Sequence, residues 1–296
     1  MLNAEKISKS YMTMTLRPVI FRKAANLMLN LLAVIAICIA LGGMGWILYT
    51  VVCNGCSVMS WEFLTSPSKP YGEPGAGVGN ALLGTLMMTL GATLLAVPPA
   101  LAGGIYLAEF GKHSKFADTL RFCANVMMGV PSILIGLFVY ALIVIPTGNF
   151  SGMAGTIALA IIMFPVVMRT TEDMLLMVPD TLRESALALG MSRMRTTLDI
   201  VARSARNGLA TGILLSLARV SGETAPLLFT ALFADAWPGS FFSKPTASAP
   251  VLITEYTTNS PFESIHAMGW GTALVMAAFI LVINIATRCI FHENKH

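Results

Sequence analysis

The chain has 296 residues, of which 55% are hydrophobic and only 11% are charged. Soluble domains carry about 25% charged residues, so the composition argues against a soluble enzyme, a disordered protein and a nucleic-acid-binding protein. A polytopic membrane protein remains, and the formal net charge of +4 then needs an explanation in terms of the membrane.

Long apolar runs predict six transmembrane helices and an all-α fold. A helix needs about 20 residues to cross a hydrocarbon layer of ~30 Å, because each residue rises ~1.5 Å. The runs are unbroken rather than alternating, which favours helices over barrel strands. The predicted spans are Ala24–Val52, Ala81–Ala108, Thr119–Ile145, Met153–Asp173, Gly208–Phe233 and Met268–Ile290.

The positive charges gather on one side of these predicted spans. Fifteen of the 19 lysines and arginines fall in the N-terminal segment, the second and fourth connections and the C-terminal end. The other connections hold only Lys69 and Lys244, while Arg169 and Arg219 lie within spans. Because cytoplasmic loops carry the excess of Lys and Arg, the rich side and both termini are predicted to be cytoplasmic.

Breaks and close packing are predicted within the spans. A proline frees backbone groups that neighbours or water must satisfy, and such breaks are common where a transport pathway opens, although ordinary kinks have the same pattern. The prolines that interrupt apolar runs are Pro98–Pro99, Pro131, Pro165 and Pro226.

A stripe of small residues at a spacing of four permits close approach of a neighbouring helix, and it consists of Gly208, Gly212 and Ser216.

The five cysteines are scattered along the chain. Cys38, Cys123 and Cys289 lie in predicted spans, where a small apolar side chain is expected to fill buried space. Cys53 and Cys56 follow at the outer end of the first span. They are expected either to form a disulfide in an oxidising compartment or to remain two thiols.

The fourth connection contains a segment, residues 178–190, that predicts a short amphipathic helix. Asp180 or Thr181 can cap its beginning, and Gly190 is a natural C-terminal stop. Three apolar side chains fall on one face at helical spacing: Leu182, Ala186 and Leu189. Such a helix on the cytoplasmic side is suited to docking a soluble partner, and a membrane-surface helix without a partner is the alternative.

Five ionisable residues lie in apolar helical context: Arg169, Glu172, Asp173, Arg219 and Glu223. An arginine at the centre of a span costs roughly 2.5–3.5 kcal/mol on insertion scales, so both arginines need partners or water. The spacings of three and four residues permit pairing along one helix face. A guanidinium matches phosphate oxygens and is often bidentate, which predicts an anion path; a structural ion pair between helices is the alternative.

Within residues 178–190, Glu184-Ser-Ala-x-x-x-Gly190 resembles the "EAA" loop of binding-protein-dependent ABC importer permeases, with Ser185 in place of the usual alanine. This loop is generic among importers of many solutes. Four further blocks are similar to those of the phosphate importer permeases of the PstA type, and the last two are more specific to that family. The blocks are Gly103–Glu109, Pro131–Phe138, Arg169–Leu175 and Ser221–Thr230.

The resemblance implies a type I ABC importer permease core (MetI-like) of six helices. Its organisation would be a cytoplasmic N-terminal segment (1–23), a first transmembrane helix with an outer loop (24–75), a transmembrane domain (76–291) with a cytoplasmic coupling loop at about 174–206, and a cytoplasmic tail (292–296). The implied partners are a homologous second permease, an ATPase dimer and an outer phosphate-binding protein, all in membrane lipid. ATP and Mg²⁺ would bind the ATPase, and the chain indeed lacks the Gly-x-x-x-x-Gly-Lys-Ser/Thr motif.

The predicted function is that of a permease subunit, without enzymatic activity or a cofactor or metal of its own, in an ATP-driven phosphate importer of the bacterial cytoplasmic (inner) membrane. Transport would follow alternating access. The substrate path is assigned to Arg169, Arg219 and Glu223. Coupling to the ATPase is assigned to Glu184, Ser185, Ala186 and Gly190.

Three other functions remain open. A permease of the same fold could carry another oxyanion, such as sulfate or molybdate. A proton-coupled secondary carrier could use Glu223 as its proton site, although it would not need a loop that docks an ATPase. A structural membrane subunit without a substrate path would not need Arg169 and Arg219.

Overall fold

The computed structural model describes residues 19–70, 73, 75–112 and 114–290, which are predominantly helical and contain no strand. The chain divides into two units, the first ending at Cys53 and the second beginning at Asn54. The predicted all-α class is therefore confirmed for the described residues. The predicted N-terminal segment lies outside them up to residue 18, and the predicted tail 292–296 lies outside them entirely.

Helix α1, Val19–Gly55, contains the first predicted span. Its 37 residues exceed the roughly 20 that a bilayer requires. Beyond Arg22 and Lys23 it has no charged residue, and its large apolar side chains are exposed on all sides. A helix that is apolar all round is typical of a lipid environment.

The second unit contains the remaining helices. They are α2 (Trp61–Thr65), α3 (Gly79–Ile105), α4 (Lys115–Gly129), α5 (Ser132–Val139), α6 (Ile145–Thr147), α7 (Gly152–Leu176), α8 (Asp180–Ala188), α9 (Arg193–Arg195), α10 (Ala202–Ser221), α11 (Ala225–Thr230), α12 (Ala249–Thr254) and α13 (Glu263–Ile290). π-helical turns extend or join them at Tyr106–Phe110, Tyr140–Val144, Thr196–Val201 and Glu255–Asn259.

The core lies where α3 packs along α7. Glycines of α3 permit the close approach, since a Cβ atom at Gly91 or Gly104 would come within 2.9 or 2.5 Å of a threonine of α7. Between the helices lie large side chains that are almost fully buried: Met88, Leu107, Leu159 and Met163.

The predicted small-residue stripe on α10 is confirmed as a packing surface. Gly208 lies against Met174 of α7, and Gly212 lies against Thr170. Ser216 is buried and donates its hydroxyl to the carbonyl of Gly212 at 2.9 Å. The stripe therefore positions α10, with Arg219 at its end, against α7.

Four helices of the described residues are long and apolar enough to cross a membrane, at Phe21–Val58, Gly79–Phe110, Gly152–Leu176 and Glu263–Ala286. They confirm the first, second, fourth and sixth predicted spans. The third is interrupted, because α4 and the helical stretch Ser132–Thr147 meet at an angle of 100° and count as one span only if taken together. Pro131 has no N–H group and disfavours a helical residue before it, so Val130 is extended and ends α4.

The predicted fifth span, Gly208–Phe233, is wrong as a single helix. Helix α10 ends at Ser221, the chain runs through Gly222–Thr224 without helix, and α11 begins just before Pro226. A proline at the start of a helix needs no N–H partner, which favours a new helix here. The count of six spans is therefore not reproduced, although Pro98, Pro99 and Pro165 lie inside continuous helices.

The prediction about the cysteines is corrected, and the last outer connection contains a helix. All five cysteines are free and exposed, so the expectation that Cys38, Cys123 and Cys289 are buried is wrong. The last predicted outer connection contains a short helix, α12, whose first four residues, Ala249–Leu252, are buried in the unit.

Candidate functional site

Arg219 and Glu223 lie together at the break that ends α10. The Nε atom of Arg219 is 4.0 Å from Oε1 of Glu223, which is a loose ion pair. The predicted pairing is present, but Glu223 lies in the non-helical stretch after Ser221 rather than on a shared helix. The Arg219 side chain is 58% exposed and that of Glu223 is 18% exposed, so the guanidinium is the accessible member of the pair.

Both side chains line a cavity of about 230 Å³. The cavity also borders the bend at Pro131 and the first residue of α5, Ser132. No side chain caps the beginning of α5, so the N–H groups of its first turn carry the partial positive charge of a helix N-terminus. The breaks at Pro131 and Gly222 thus bring polar backbone and two opposite charges into an otherwise apolar helix bundle.

Arg169 is not among the described residues that line this cavity. It lies on α7, where Nη1 donates to Oε2 of Glu172 at 2.5 Å and Nη2 is 3.9 Å from a carboxylate oxygen of Asp173. The predicted local pairing is confirmed. The structure therefore joins Arg219 with Glu223 but holds Arg169 apart from them.

Glu172 has a second partner that the sequence did not indicate. Its Oε1 accepts a hydrogen bond of 2.6 Å from Nε of Arg121 on α4, and only 2% of the Glu172 side chain is exposed. A buried carboxylate is tolerated because two guanidinium groups compensate its lost hydration. The 51 residues between the partners leave no local spacing from which the pair could be predicted.

The 178–190 segment forms helix α8, as predicted, but its cap and its buried face differ from the prediction. The N-cap is Pro179, and neither Asp180 nor Thr181 caps the helix with its side chain. Arg183 and Ala186 face the protein, whereas the leucines of the predicted apolar face are exposed, up to 84% for Leu189. The sequence does not predict that Arg183 faces the protein, because arginine is rarely buried unless it is paired, and the partner of Arg183 is distant in the chain.

Gly190 ends α8 in the predicted way. Its φ of +82° lies in the left-handed region. The N–H of Gly190 donates to the carbonyl of Leu187 at 2.9 Å, and that of Met191 donates to Ala186 at 3.1 Å. These two bonds are those of a Schellman motif. Glu184 and Ser185, by contrast, are exposed on the outer side of the helix.

Arg183 binds Glu109, another residue whose role the sequence left open. Nη2 of Arg183 donates to Oε1 of Glu109 at 2.7 Å, and both side chains are buried. Arg193 donates to the carbonyl of Glu109 and lies 5.2 Å from the centre of the Phe110 ring. An acidic residue at the end of an apolar span was the available signal, but its partner lies 74 residues away.

Exposed apolar side chains lie on α8 and on the residues that flank it. They are Met177, Leu182, Leu187, Leu189 and Met194. Exposed apolar side chains in proximity mark sites of protein or membrane contact. Within the described residues, no three His, Cys, Asp or Glu side chains are grouped so that they could hold a metal ion.

Comparisons with known proteins identify relatives of this chain. The family model described as binding-protein-dependent transport system inner membrane component matches residues 100–292. The phosphate transport system permease protein PstA of Haemophilus influenzae is 41% identical over 93% of this chain and 96% of its own. The PstA protein of Mycobacterium leprae is 33% identical over 96% and 94%.

A third relative and a solved structure extend the comparison. The probable PstA protein of Methanocaldococcus jannaschii is 38% identical over 82% of this chain and 85% of its own. An inward-facing structure of the MetNI methionine ABC transporter matches 73% of this chain and 94% of its own with a TM-score of 0.62 and 17% identity, which confirms the MetI-like fold. The chain therefore belongs to the family of binding-protein-dependent transport system inner membrane components, together with these PstA permeases.

Proposed function

We propose that this protein is the permease subunit of an ATP-driven importer that moves inorganic phosphate across the cytoplasmic membrane by alternating access. The observation that carries the proposal is the exposed guanidinium of Arg219, which lines a cavity among apolar helices beside Glu223. The names of the PstA relatives, which cover nearly the whole chain, support phosphate as the substrate.

The loose pairing of Arg219 suits a site of passage. At 4.0 Å from Glu223, the guanidinium keeps donors free for phosphate oxygens, and a planar fork matches them bidentately. The nearby carboxylate repels an anion, so phosphate is held weakly enough to move on. Arg169 is the second basic residue of the proposed path, and in this structure it is paired with Glu172 and Asp173.

Helix α8 is the proposed dock for an ATPase dimer. Glu184 and Ser185 face outwards among exposed leucines, whereas Ala186 fixes the helix to the protein and Gly190 ends it. The ATPase would supply the ATP and Mg²⁺ chemistry. A homologous second permease and an outer phosphate-binding protein complete the proposed assembly, with both termini of this chain in the cytoplasm.

The test is uptake of labelled phosphate in a deletion strain that carries wild-type chain or Arg219→Gln. We expect the variant to abolish uptake while the complex still assembles, because glutamine keeps the polarity but removes the charge. Lys115→Gln is the control, since Lys115 is an exposed basic residue at the start of α4, outside the cavity and outside the coupling loop. This control should transport normally.

Two results would contradict the proposal. Normal uptake by Arg219→Gln would remove Arg219 from the substrate path. Competition by excess sulfate or molybdate as strong as that by unlabelled phosphate would assign the path to another oxyanion.

A further inference from the structure

The turn Tyr106–Phe110, which follows α3, is the point where three arginines converge. Nη2 of Arg121 donates to one carbonyl of the turn at 3.0 Å, and Arg193 donates to another. Arg183 binds the carboxylate of Glu109 within the turn. The arginines come from α4, α9 and α8, so this one turn joins three helices to the end of α3.

The pair of Glu109 and Arg183 is the buried centre of this junction. Nη2 and Nε of Arg183 approach Oε1 at 2.7 and 3.0 Å, and Nε also approaches Oε2 at 3.3 Å. The residues are 5% and 8% exposed. A charged pair buried in this way is short, directional and costly to separate, so it holds one geometry.

Arg183 also reaches the end of α7. Its Nη2 donates to the carbonyl of Leu175 at 2.7 Å, and its Nη1 donates to that of Val178 at 2.5 Å. These carbonyls belong to the last turn of α7 and to the stretch that leads into α8. One guanidinium therefore connects α8 both to α3, through Glu109, and to α7.

Little else on α8 is buried. Among its residues, only Arg183 and Ala186 are buried, and the helix also packs on the turn Thr196–Val201. The ion pair between Lys112 and Asp180 is 3.5 Å long and exposed, and such surface pairs contribute little. A displacement of α8 thus reaches α3 mainly through Arg183, whereas it reaches α7 both through Arg183 and through the short chain connection between the two helices.

We infer that Glu109 and Arg183 are positioning residues that transmit movement of α8 to the ends of α3 and α7 during transport. The inference rests on the proposed function, in which an ATPase moves α8. Helices α3 and α7 pack along each other through the core, so movement of their ends is passed to the helices that border the cavity at Arg219.

The test compares Glu109→Gln and Arg183→Gln with wild type in the complete transporter. Three quantities are measured: co-purification of the ATPase, ATP hydrolysis by the complex, and phosphate uptake. We expect assembly and hydrolysis to persist while uptake falls about tenfold, because changes along a coupling route alter the coupling and leave each site intact. The double variant should lose no more than the more severe single variant, since the two residues act as one unit.

Lys112→Gln is the matched control, because it removes the exposed ion pair beside the same junction. It should leave all three quantities unchanged. Uptake at the wild-type level in both single variants would overturn the inference. Loss of the ATPase from both variants would also overturn it, because the pair would then hold the dock together without transmitting movement. Failure of the wild-type complex to import phosphate would instead refute the proposed function.

A variant that does not accumulate in the membrane is replaced by a milder one. Glu109→Asp keeps the carboxylate but shortens its reach, and Arg183→Lys keeps the charge but loses the bidentate fork. Each should give uptake below the wild-type level at unchanged ATP hydrolysis. Full uptake in both would count against the inference.

Discussion

Glu172 of α7, whose carboxylate is buried, forms an ion pair with Arg121 of α4, with 2.6 Å between Oε1 and Nε, although 51 residues separate them in the chain. The other carboxylate oxygen accepts from Arg169 at 2.5 Å. The same Arg121 donates to the carbonyl of Leu107 in the turn after α3. One carboxylate thus binds two arginines and connects α4 to α7, next to the junction at Glu109.

Replacing Glu172 by glutamine is expected to lower the free energy of unfolding by about 1.5–3 kcal/mol, which is the range for hydrogen bonds to charged groups. Glutamine keeps the shape but removes the buried counter-ion of two guanidinium groups, whose other carboxylate partners, Asp118 and Asp173, are exposed. Removing one partner of a fully buried ion pair would destabilise the protein more. Here the two arginine side chains are about one quarter exposed, and water screens their charges. The measurement is the thermal unfolding midpoint of the purified full-length chain.

Asp118→Asn is the matched control for this prediction. Asp118 binds the same Arg121 at 2.8 Å, but its side chain is mostly exposed. An exposed ion pair contributes roughly 0–1 kcal/mol, so the control should shift the midpoint little. Equal shifts in both variants would show that burial of Glu172 is not what stabilises the pair.

Gly190→Ala is expected to destabilise the end of α8. The φ of +82° is left-handed, and a side chain in that region costs roughly 1–2 kcal/mol even though open space surrounds the position. Amide hydrogen exchange of α8 should therefore accelerate about tenfold, since 1.4 kcal/mol corresponds to a factor of ten. Gly129→Ala is the control, because its surroundings are equally open and its φ is not left-handed. An unchanged rate of amide hydrogen exchange in Gly190→Ala would show that a side chain at position 190 causes no backbone strain.

The features that could be predicted from the sequence are those encoded by neighbouring residues. Of the six spans that the apolar runs predict, four are continuous helices. Gly190 predicts the end of α8, and spacing predicts the pairs of Arg169. The sequence does not predict the 100° bend at Pro131 or the break after Ser221. A proline or glycine in an apolar run can leave a helix intact, as Pro165 does. The pair of Glu109 and Arg183 could not be predicted from the sequence, because only the packing of α8 brings the two residues together.

Tyr256→Phe is expected to leave the protein equally stable or up to about 1 kcal/mol more stable. The Tyr256 hydroxyl is buried and has no hydrogen-bond partner among the described residues, so its desolvation is uncompensated. Removing it removes that penalty. The measurement is again the thermal midpoint of the full-length chain, and a clear fall would reveal a partner for the hydroxyl.

The same hydroxyl predicts a pH dependence. Burial, with a smaller contribution from the carboxylate of Asp235, raises the pKa of Tyr256 to about 12 from its ordinary value of 10.0. The folded protein then holds this proton more tightly than the unfolded chain, so stability should fall as the pH rises from about 10 to about 12. Tyr256→Phe should lack this part of the alkaline loss. Identical alkaline profiles for the variant and wild type would contradict the shift.

Two adjacent glycines of α3 test how tightly α3 packs on α7. A Cβ atom at Gly104 would come within 2.5 Å of Cβ of Thr171 and 2.6 Å of the Met168 carbonyl, which is backbone that cannot move aside. At Gly103 the nearest atom is the flexible Met168 sulfur at 2.9 Å. Gly104→Ala should therefore destabilise the chain by about 1–3 kcal/mol, as overpacking does, and Gly103→Ala by much less. Because α3 leads directly into the turn of Glu109, Gly104→Ala should also reduce phosphate uptake more than Gly103→Ala at equal membrane levels. Equal effects of the two alanines on stability would mean that α7 yields at Thr171 and that the two helices do not move as one body.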